Sequence, residues 1–476
     1  MLEIIVLAKS LFGYARIFYS NLSLISVLLR RFVKNFSYII LILFLLFIVS
    51  CTSNNDDDVL ETASIPSQFV TPSSQYDGVT YLDYKISQIP QGRHFIFFTD
   101  THKMSRAYSN NVCWVIQYVA KRLGGDIKIV NGGDLINKEK NAYTARTLAK
   151  TVTDEYINSF GNGNYIMVYG NHDSNLSGIA IDDIETRNAC AISYEDIYKC
   201  MIRDVGGNAV FEDIDHYIES IDTISDKEKM ELKYLTKMHY YVDDVQNKVR
   251  FIIINTNNAA IEYPKIINNL TSSNLHVVTQ YKWFSEVLKS IPQGWDVVVC
   301  GHQMLSINLK RSSSGIPELH VMSGHDVLYK LIRARMSNAC GKCSFKEKFL
   351  GEDGCLFFDF TECCKIGKML LIAGHCHIDA ISYIYTKSLD RSSLFAKYLC
   401  DGQDSVKIDL DRGDIPLVIS DCDNERLHND IKGVHIVSEV GTTDIVCFDV
   451  VTFSDDGNIY MTRFGRGKDR QIRCNE

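Results

Sequence analysis

The chain is short of positive charge. It carries 50 Lys and Arg against 58 Asp and Glu in 476 residues, a formal net charge of −8. Beyond residue 50 the balance is 45 basic against 57 acidic residues, or −12. Non-specific nucleic-acid binding needs Lys and Arg to neutralise phosphates, so nucleic acid is disfavoured as a partner. A small phosphorylated substrate in a locally positive, metal-filled cleft is not. Internal repeats and long low-complexity tracts are missing, which excludes a solenoid. The apolar stretch from Tyr38 to Val49 is too short for an ordinary membrane-spanning helix. What is present is ordinary for a folded protein: 46% hydrophobic and 23% charged residues, enough chain for a large domain with insertions or for two domains.

Arg30, Arg31 and Lys34 precede that apolar stretch, the pattern of a signal segment over residues 1–50. It ends in Ile48-Val49-Ser50-Cys51, which resembles a bacterial lipobox and implies Cys51 as the lipidated residue. An uncleaved anchor is the other reading. Both place the remainder outside the cytoplasm, with a lipid-anchored protein at a bacterial membrane or cell surface as the expectation. Residues 51–66, with Asp56-Asp57-Asp58, read as an acidic tether. Residues 1–29 are long for a signal's leading region, and a start between Val27 and Val33 would shorten them.

Cysteine is plentiful, at 15 residues. Outside the cytoplasm that invites disulfides, with plain free thiols as the alternative. Cys340, Cys343, Cys355, Cys363 and Cys364 cluster, but Cys363-Cys364 lacks the spacing of a second zinc knuckle.

Five short apolar runs each lead into Gly, Asp, Asn or His. Ile96-Phe97-Phe98 leads into Asp100-Thr101-His102, and Ile127 to Val130 into Gly132-Gly133-Asp134. Ile166 to Tyr169 leads into Gly170-Asn171-His172-Asp173. Val297 to Cys300 leads into Gly301-His302, and Leu370 to Ala373 into Gly374-His375-Cys376-His377. Continuous apolar runs of this length read as buried strands. Open α/β sheets bind ligands beyond the carboxyl ends of their strands, where each motif would sit. Helices are expected over Tyr108–Leu123, stopped by Gly124-Gly125, and over about Ala142–Phe160. The first three runs then form a parallel βαβαβ unit. Ser67 to Gln91 reads as a lead-in with a strand-like piece, Val79-Thr80-Tyr81-Leu82.

One domain is expected over 67–476, with insertions at about 174–249, 305–368 and 378–432 that wall the substrate site. The first is expected to be partly helical around Asp226 to Met238. The chain should end in a hairpin, Asp444–Phe453 and Asn458–Phe464 around Ser454-Asp455-Asp456-Gly457.

Taken in order, D-x-H, G-D, G-N-H-D, G-H and G-H-x-H, the motifs resemble those of the calcineurin-like metallophosphoesterases. The likeness runs from Phe95 to Arg470, and each motif alone is a weak signal. The resemblance implies a four-layer α/β/β/α sandwich and two divalent transition-metal ions. His and carboxylate ligands suit Mn, Zn or Fe rather than Ca. Carried over residue by residue, Asp100, His102 and His377 hold one ion, Asn171, His302 and His375 the other, and Asp134 bridges them. A metal-bridging hydroxide then attacks phosphorus in line, as in other sites with two metals about 3.5–4 Å apart. His172 takes the family's role of stabilising the transition state or protonating the leaving oxygen, with Asp173 behind it. Protein phosphatases of the superfamily carry an Asp three residues after the bridging Asp. Here Asn137 stands there, closer to bacterial phosphodiesterases, and leaves His172 without a carboxylate partner.

A histidine after an apolar run is, taken singly, more often a loop or core residue. His325, His94 and His435 are read so, and Lys103, Asn175 and Gln303 as ordinary loop polarity. The set as a whole points to an extracytoplasmic hydrolase of phosphomonoesters or phosphodiesters. The competing reading is a surface ligand-binding or scaffolding lipoprotein with a vestigial site, which metal analysis would separate. A nuclease on the same fold is disfavoured by the acidic balance.

Overall fold

A computed structural model describes residues 78–476 except 106–110, 178, 180–182, 221, 223–224, 258–272, 304–324, 345–354, 378, 385–393, 400–404, 411–413, 422–427, 430–434, 437–445 and 475–476. All of them belong to one compact unit, Ile65–Glu476. The signal segment, the tether and Cys51 lie outside the described residues. Among the described residues no helix is long and apolar enough to cross a membrane.

In chain order the strands are β1 Gly92–Phe98, β2 Lys128–Asn131, β3 Tyr165–Met167, β4 Val210–Phe211, β5 Tyr240–Asp244, β6 Val249–Ile253, β7 Asp296–Cys300, β8 Cys340–Ser344, β9 Cys355–Asp359, β10 Met369–Ala373, β11 Ala380–Ile384, β12 Leu394–Leu399, β13 Ser405–Leu410, β14 Ile415–Ile419, β15 His428–Asn429, β16 His435–Ile436, β17 Cys447–Ser454, β18 Ile459–Gly465 and β19 Asp469–Cys474. Two mixed sheets result. The first runs β13-β19-β18-β17-β1-β2-β3 and the second β12-β11-β14-β10-β7-β6-β5-β4. β1, β2 and β3 are parallel, as are β6, β7, β10 and β14.

The five apolar runs end up as β1, β2, β3, β7 and β10, and β7 and β10 are buried at every position. One core lies between the sheets, where Phe95 of β1 meets Phe251 of β6 edge-on at 5.3 Å. Helices cover the outer faces. Ala142–Phe160 has the expected bounds, because Asn141 caps its first turn by accepting from Thr144 N and Gly161, at φ 89°, ends it. Its stripe Ala145, Leu148, Ala149, Val152, Tyr156 and Phe160 recurs at helical spacing and packs on the first sheet. Helices Ser273–Lys289 and His325–Met336 cover the second sheet with Phe284, Leu288, Leu328 and Ile332. The order is helix, sheet, sheet, helix: a four-layer α/β/β/α sandwich.

Val79 to Leu82 is not a strand. It lies in the helix Gly78–Ser87, where Leu82 is buried and Tyr81 and Ile86 pack on the core, contacts that local β propensity does not anticipate. The stretches read as insertions also build the sandwich. They supply β4 and β5, and later β11, β12 and β14, to the second sheet, and β13 to the first. The expected helix at Asp226 is present as Asp226–Leu235, closed at its start by a Ser225–Glu228 capping box. The terminal hairpin is β17 and β18, and β19 extends it. The twelve described cysteines are all free thiols; the Cys340 cluster lies on and beside the β8–β9 hairpin.

Candidate metal centre

Each motif occupies the loop at the carboxyl end of its strand, and the loops interlock through the backbone. Gly132 N donates to Phe98 O, Asp100 N to Gly133 O and His102 N to Asp134 O. These bonds hold unusual conformations. Eight described non-glycine residues have positive φ, and five are Asp100, His102, Asp134, His375 and His377. Left-handed backbone at such residues persists only when the surroundings fix it, and it concentrates at functional sites.

The hydrogen bonds leave one oxygen of each central carboxylate facing the site. Asp100 Oδ2 accepts from Thr99 Oγ1 at 2.6 Å and from His375 N at 2.8 Å. Asp100 Oδ1, fully buried, has no hydrogen-bond partner among the described residues. It lies 3.3 Å from His377 Nε2, 3.7 Å from His102 Nε2 and 3.9 Å from His302 Nε2. Asp134 divides its oxygens likewise. Oδ1 accepts from His172 N at 2.8 Å, while Oδ2 faces His302 Nε2 at 3.2 Å, His102 Nε2 at 3.8 Å and His172 Nε2 at 3.9 Å. An orphaned buried carboxylate oxygen ringed by imidazole nitrogens fits a cation.

Three groups have donor atoms close enough to share an ion: Asp100-His102-His377, Asp134-His302-His375 and His102-Asp134-His172. Asn171 joins the second, its Oδ1 lying 3.1 Å from His302 Nε2. All seven expected ligands therefore converge, and Asp134 belongs to two groups. His172, expected beside the ligands, lies within ligand distance of two of them.

Charge sharpens the picture. Burial opposes ionisation of Asp100 and Asp134, but the adjoining histidines, His302 first, hold both carboxyls well below the usual range. Burial alone would lower His302, yet Asp134 and Asp100 lift it to about 10. Burial dominates at His102, which falls to about 4. His302 Nδ1 lies 2.9 Å from Gly132 O and donates to it, which turns Nε2 towards the carboxylates.

Asn137 still serves His172. Its Oδ1 accepts from Lys138 N at 2.8 Å, so the atom 3.2 Å from His172 Nδ1 is an acceptor and Nδ1 carries the hydrogen. Nε2 then faces the site with its lone pair, 2.9 Å from Ser177 Oγ. Asp173 braces two loops, accepting from Gly170 N and Leu135 N at 2.8 Å, and burial with the Asp134 charge pushes it up to about 8.

The remaining candidates separate cleanly. His94 Nδ1 meets Thr452 Oγ1 at 3.0 Å within the sheet, and Asn175 is spent on backbone groups of Glu139 and Cys190. His435 lies in β16 and His325 opens a helix; their side chains are outside the described residues. Gln303 is more than loop polarity: its Nε2 donates to Asn171 Oδ1 at 3.0 Å and its N to Thr256 Oγ1 at 2.9 Å. Thr256 and its neighbour Asn257 follow β6, a sixth strand ending at this edge. The apolar run Phe251-Ile252-Ile253-Ile254 is its signal, but no histidine follows to mark it.

A sandwich carrying clustered His and carboxylate side chains at one sheet edge defines a metal-dependent phosphoesterase fold. Residues 93–329 match the family model described as calcineurin-like phosphoesterase, and the chain belongs to that family. No curated protein matches it. Among solved structures, "GAP50 the anchor in the inner membrane complex of Plasmodium" is 13% identical, with 81% of this chain and 89% of that chain covered at a TM-score of 0.34.

Proposed function

We propose that the chain is a binuclear metal-dependent hydrolase of phosphomonoesters or phosphodiesters. The observation that carries this is the convergence of three ligand groups on Asp100 Oδ1 and Asp134 Oδ2, with Asp134 common to two of them. Asp100, His102 and His377 would hold one Mn, Zn or Fe ion, and Asn171, His302 and His375 the other, with Asp134 between. Two such ions supply Lewis acidity towards phosphoryl oxygens and an acidified water at neutral pH.

The chain's own groups do the rest. Asn137 fixes the His172 ring with Nδ1–H turned towards it, so Nε2, on the site side, is the atom that takes a proton from water and gives it to the leaving oxygen. The Gln303 amide, already beside Asn171 Oδ1, is placed to donate to a substrate oxygen. We further propose that the enzyme works outside the cytoplasm, tethered through Cys51; the Arg30-Arg31-Lys34 pattern and the lipobox-like ending support this.

Metal analysis of purified protein and one substitution test the activity. The expected content is two transition-metal ions per chain. Asp134→Asn should lower kcat on an aryl phosphate or its diester by about 10²–10³-fold, the scale of losing one preorganised electrostatic group. Undiminished turnover in that variant would overturn the assignment.

A further inference from the structure

Asp379 follows His377 by two residues and is buried, as is Arg463. Their side chains form a fork: Arg463 Nη2 donates to Asp379 Oδ1 at 2.6 Å and Nη1 to Oδ2 at 2.8 Å. Asp379 leads directly into β11 of the second sheet, whereas Arg463 belongs to β18 of the first. The same guanidinium also engages Asp449 of β17, from Nε at 2.9 Å and Nη2 at 3.1 Å. Arg470 Nη2 and Ser420 Oγ donate to Asp449 Oδ2, and Asp421 N donates to Asp379 Oδ1 at 3.1 Å. Asp379, two residues beyond His377, is therefore fastened to β18 of the opposite sheet and, through Arg463, to Asp449 of β17. His377 needs such fastening, because its φ of 52° is one a non-glycine residue keeps only under constraint.

The other flank has its own brace, and no charge takes part in it. Asn257 Nδ2 donates to Tyr169 O at 3.0 Å, just before Gly170-Asn171. Thr256 Oγ1 accepts from Gln303 N at 2.9 Å, just after His302. This pair of bonds joins the ligand loop of β3 in the first sheet to that of β7 in the second.

We propose that the two halves of the metal centre are propped separately. Asp379 with Arg463 positions His377 and hence the Asp100-His102-His377 half. Asn257 with Thr256 positions Asn171 and His302 in the other. All four are positioning residues, and the inference rests on the two-cation reading above. A bidentate Arg–carboxylate fork fixes direction as well as distance, which an apolar pair of similar volume would not.

The test is Mn2+ binding to metal-free protein by equilibrium dialysis, with no turnover involved. Wild-type protein should bind two ions; fewer would remove the two-cation reading itself. In a His375→Ala background, which weakens the second half, Asp379→Asn should loosen the remaining ion by about 10–100-fold, the usual effect of losing a group that orients a ligand. Asn257→Ala should there change it by less than about threefold, well under that range. In a His377→Ala background the two variants should exchange effects. Equal weakening of both halves by either variant, in protein whose circular dichroism matches wild type, overturns the proposal. Should Asp379→Asn fail to fold, Arg463→Lys is read the same way, since Lys keeps the charge but cannot span both carboxylates.

Discussion

His102 Nε2 and His377 Nε2 stand 3.0 Å apart, one delivered by the loop after β1 in the first sheet and the other by the loop after β10 in the second. Without an ion, one of these nitrogens must carry a hydrogen towards the other. Burial and the neighbouring His172 and His377 hold His102 at about 4, so it is neutral near pH 7 and offers a lone pair. His102 and His377 would hold a cation through both lone pairs, and such an ion would tie the two sheets together.

Metal binding should therefore stabilise the whole sandwich rather than a loop. Anything that binds only the folded state adds about 2.7 kcal/mol at 100 times its Kd. For the roughly 300 described residues, at about 2.1 cal/mol/K each, that is about 4 °C in Tm per site filled. Chelation followed by Mn2+ or Zn2+ addition, monitored by thermal denaturation, should restore about twice that. An unchanged Tm would mean that these side chains hold no ion.

Metal uptake should release protons. His302 is raised from 6.5 to about 10 in the metal-free protein by Asp134 and Asp100, against burial. Its imidazolium stabilises the metal-free fold in full below pH 6.5, and that contribution is lost as pH rises through about 10. A metal ligand must be neutral, so binding below pH 10 displaces this proton and affinity rises with pH, about tenfold per unit for each proton lost. Calorimetry in two buffers of different ionisation heat should count at least one proton released per chain at pH 7.5. Zero release would place His302 outside the ligand set.

The parts of this architecture legible in the sequence are those where strand and chemistry coincide. β1, β2, β3, β7 and β10 are apolar runs that end on Asp, Asn or His, and they were readable with their ligands. β6 is as buried as β7, yet it ends on Asn255-Thr256-Asn257, whose part is to brace rather than to bind, so nothing marked it. Gly78–Ser87 misled because Val79-Thr80-Tyr81 favours a strand locally, while Leu82 finds its burial only as part of a helix. The Arg463–Asp379 fork joins positions 84 residues apart, a pairing that no local pattern could announce.

His172 should act through Asn137 even though no carboxylate is present. Asn137→Ala removes the acceptor that holds Nδ1–H, so the ring can turn or exchange tautomers. Loss of one neutral hydrogen bond to a proton-transferring group should cost about tenfold in kcat, by analogy with the net worth of such bonds. His172→Ala should cost about 10²–10⁴-fold. Bound metal should stay at two ions in Asn137→Ala, and 15N shifts of the His172 ring should show the mixed tautomer. Metal loss in that variant would instead mean that His172 is itself a ligand, as its distance to Asp134 permits.

Gly170 should be intolerant of any side chain, for a reason that separates it from the props above. A Cβ there would lie 2.2 Å from Asp134 N and 2.2 Å from Asp134 Oδ1. Neither atom can yield: Asp134 N donates to Asp173 and Oδ1 accepts from His172 N. Gly170→Ala must therefore push the shared carboxylate out of place, at a cost of about 1–3 kcal/mol, the range for forcing atoms into a packed core. Asp134 serves two ligand groups, so both ions should weaken together, unlike the one-sided loss expected of Asp379→Asn. Chemical denaturation and Mn2+ dialysis on the same sample would check this. Wild-type affinity for either ion in Gly170→Ala would show that Asp134 is not held by this contact.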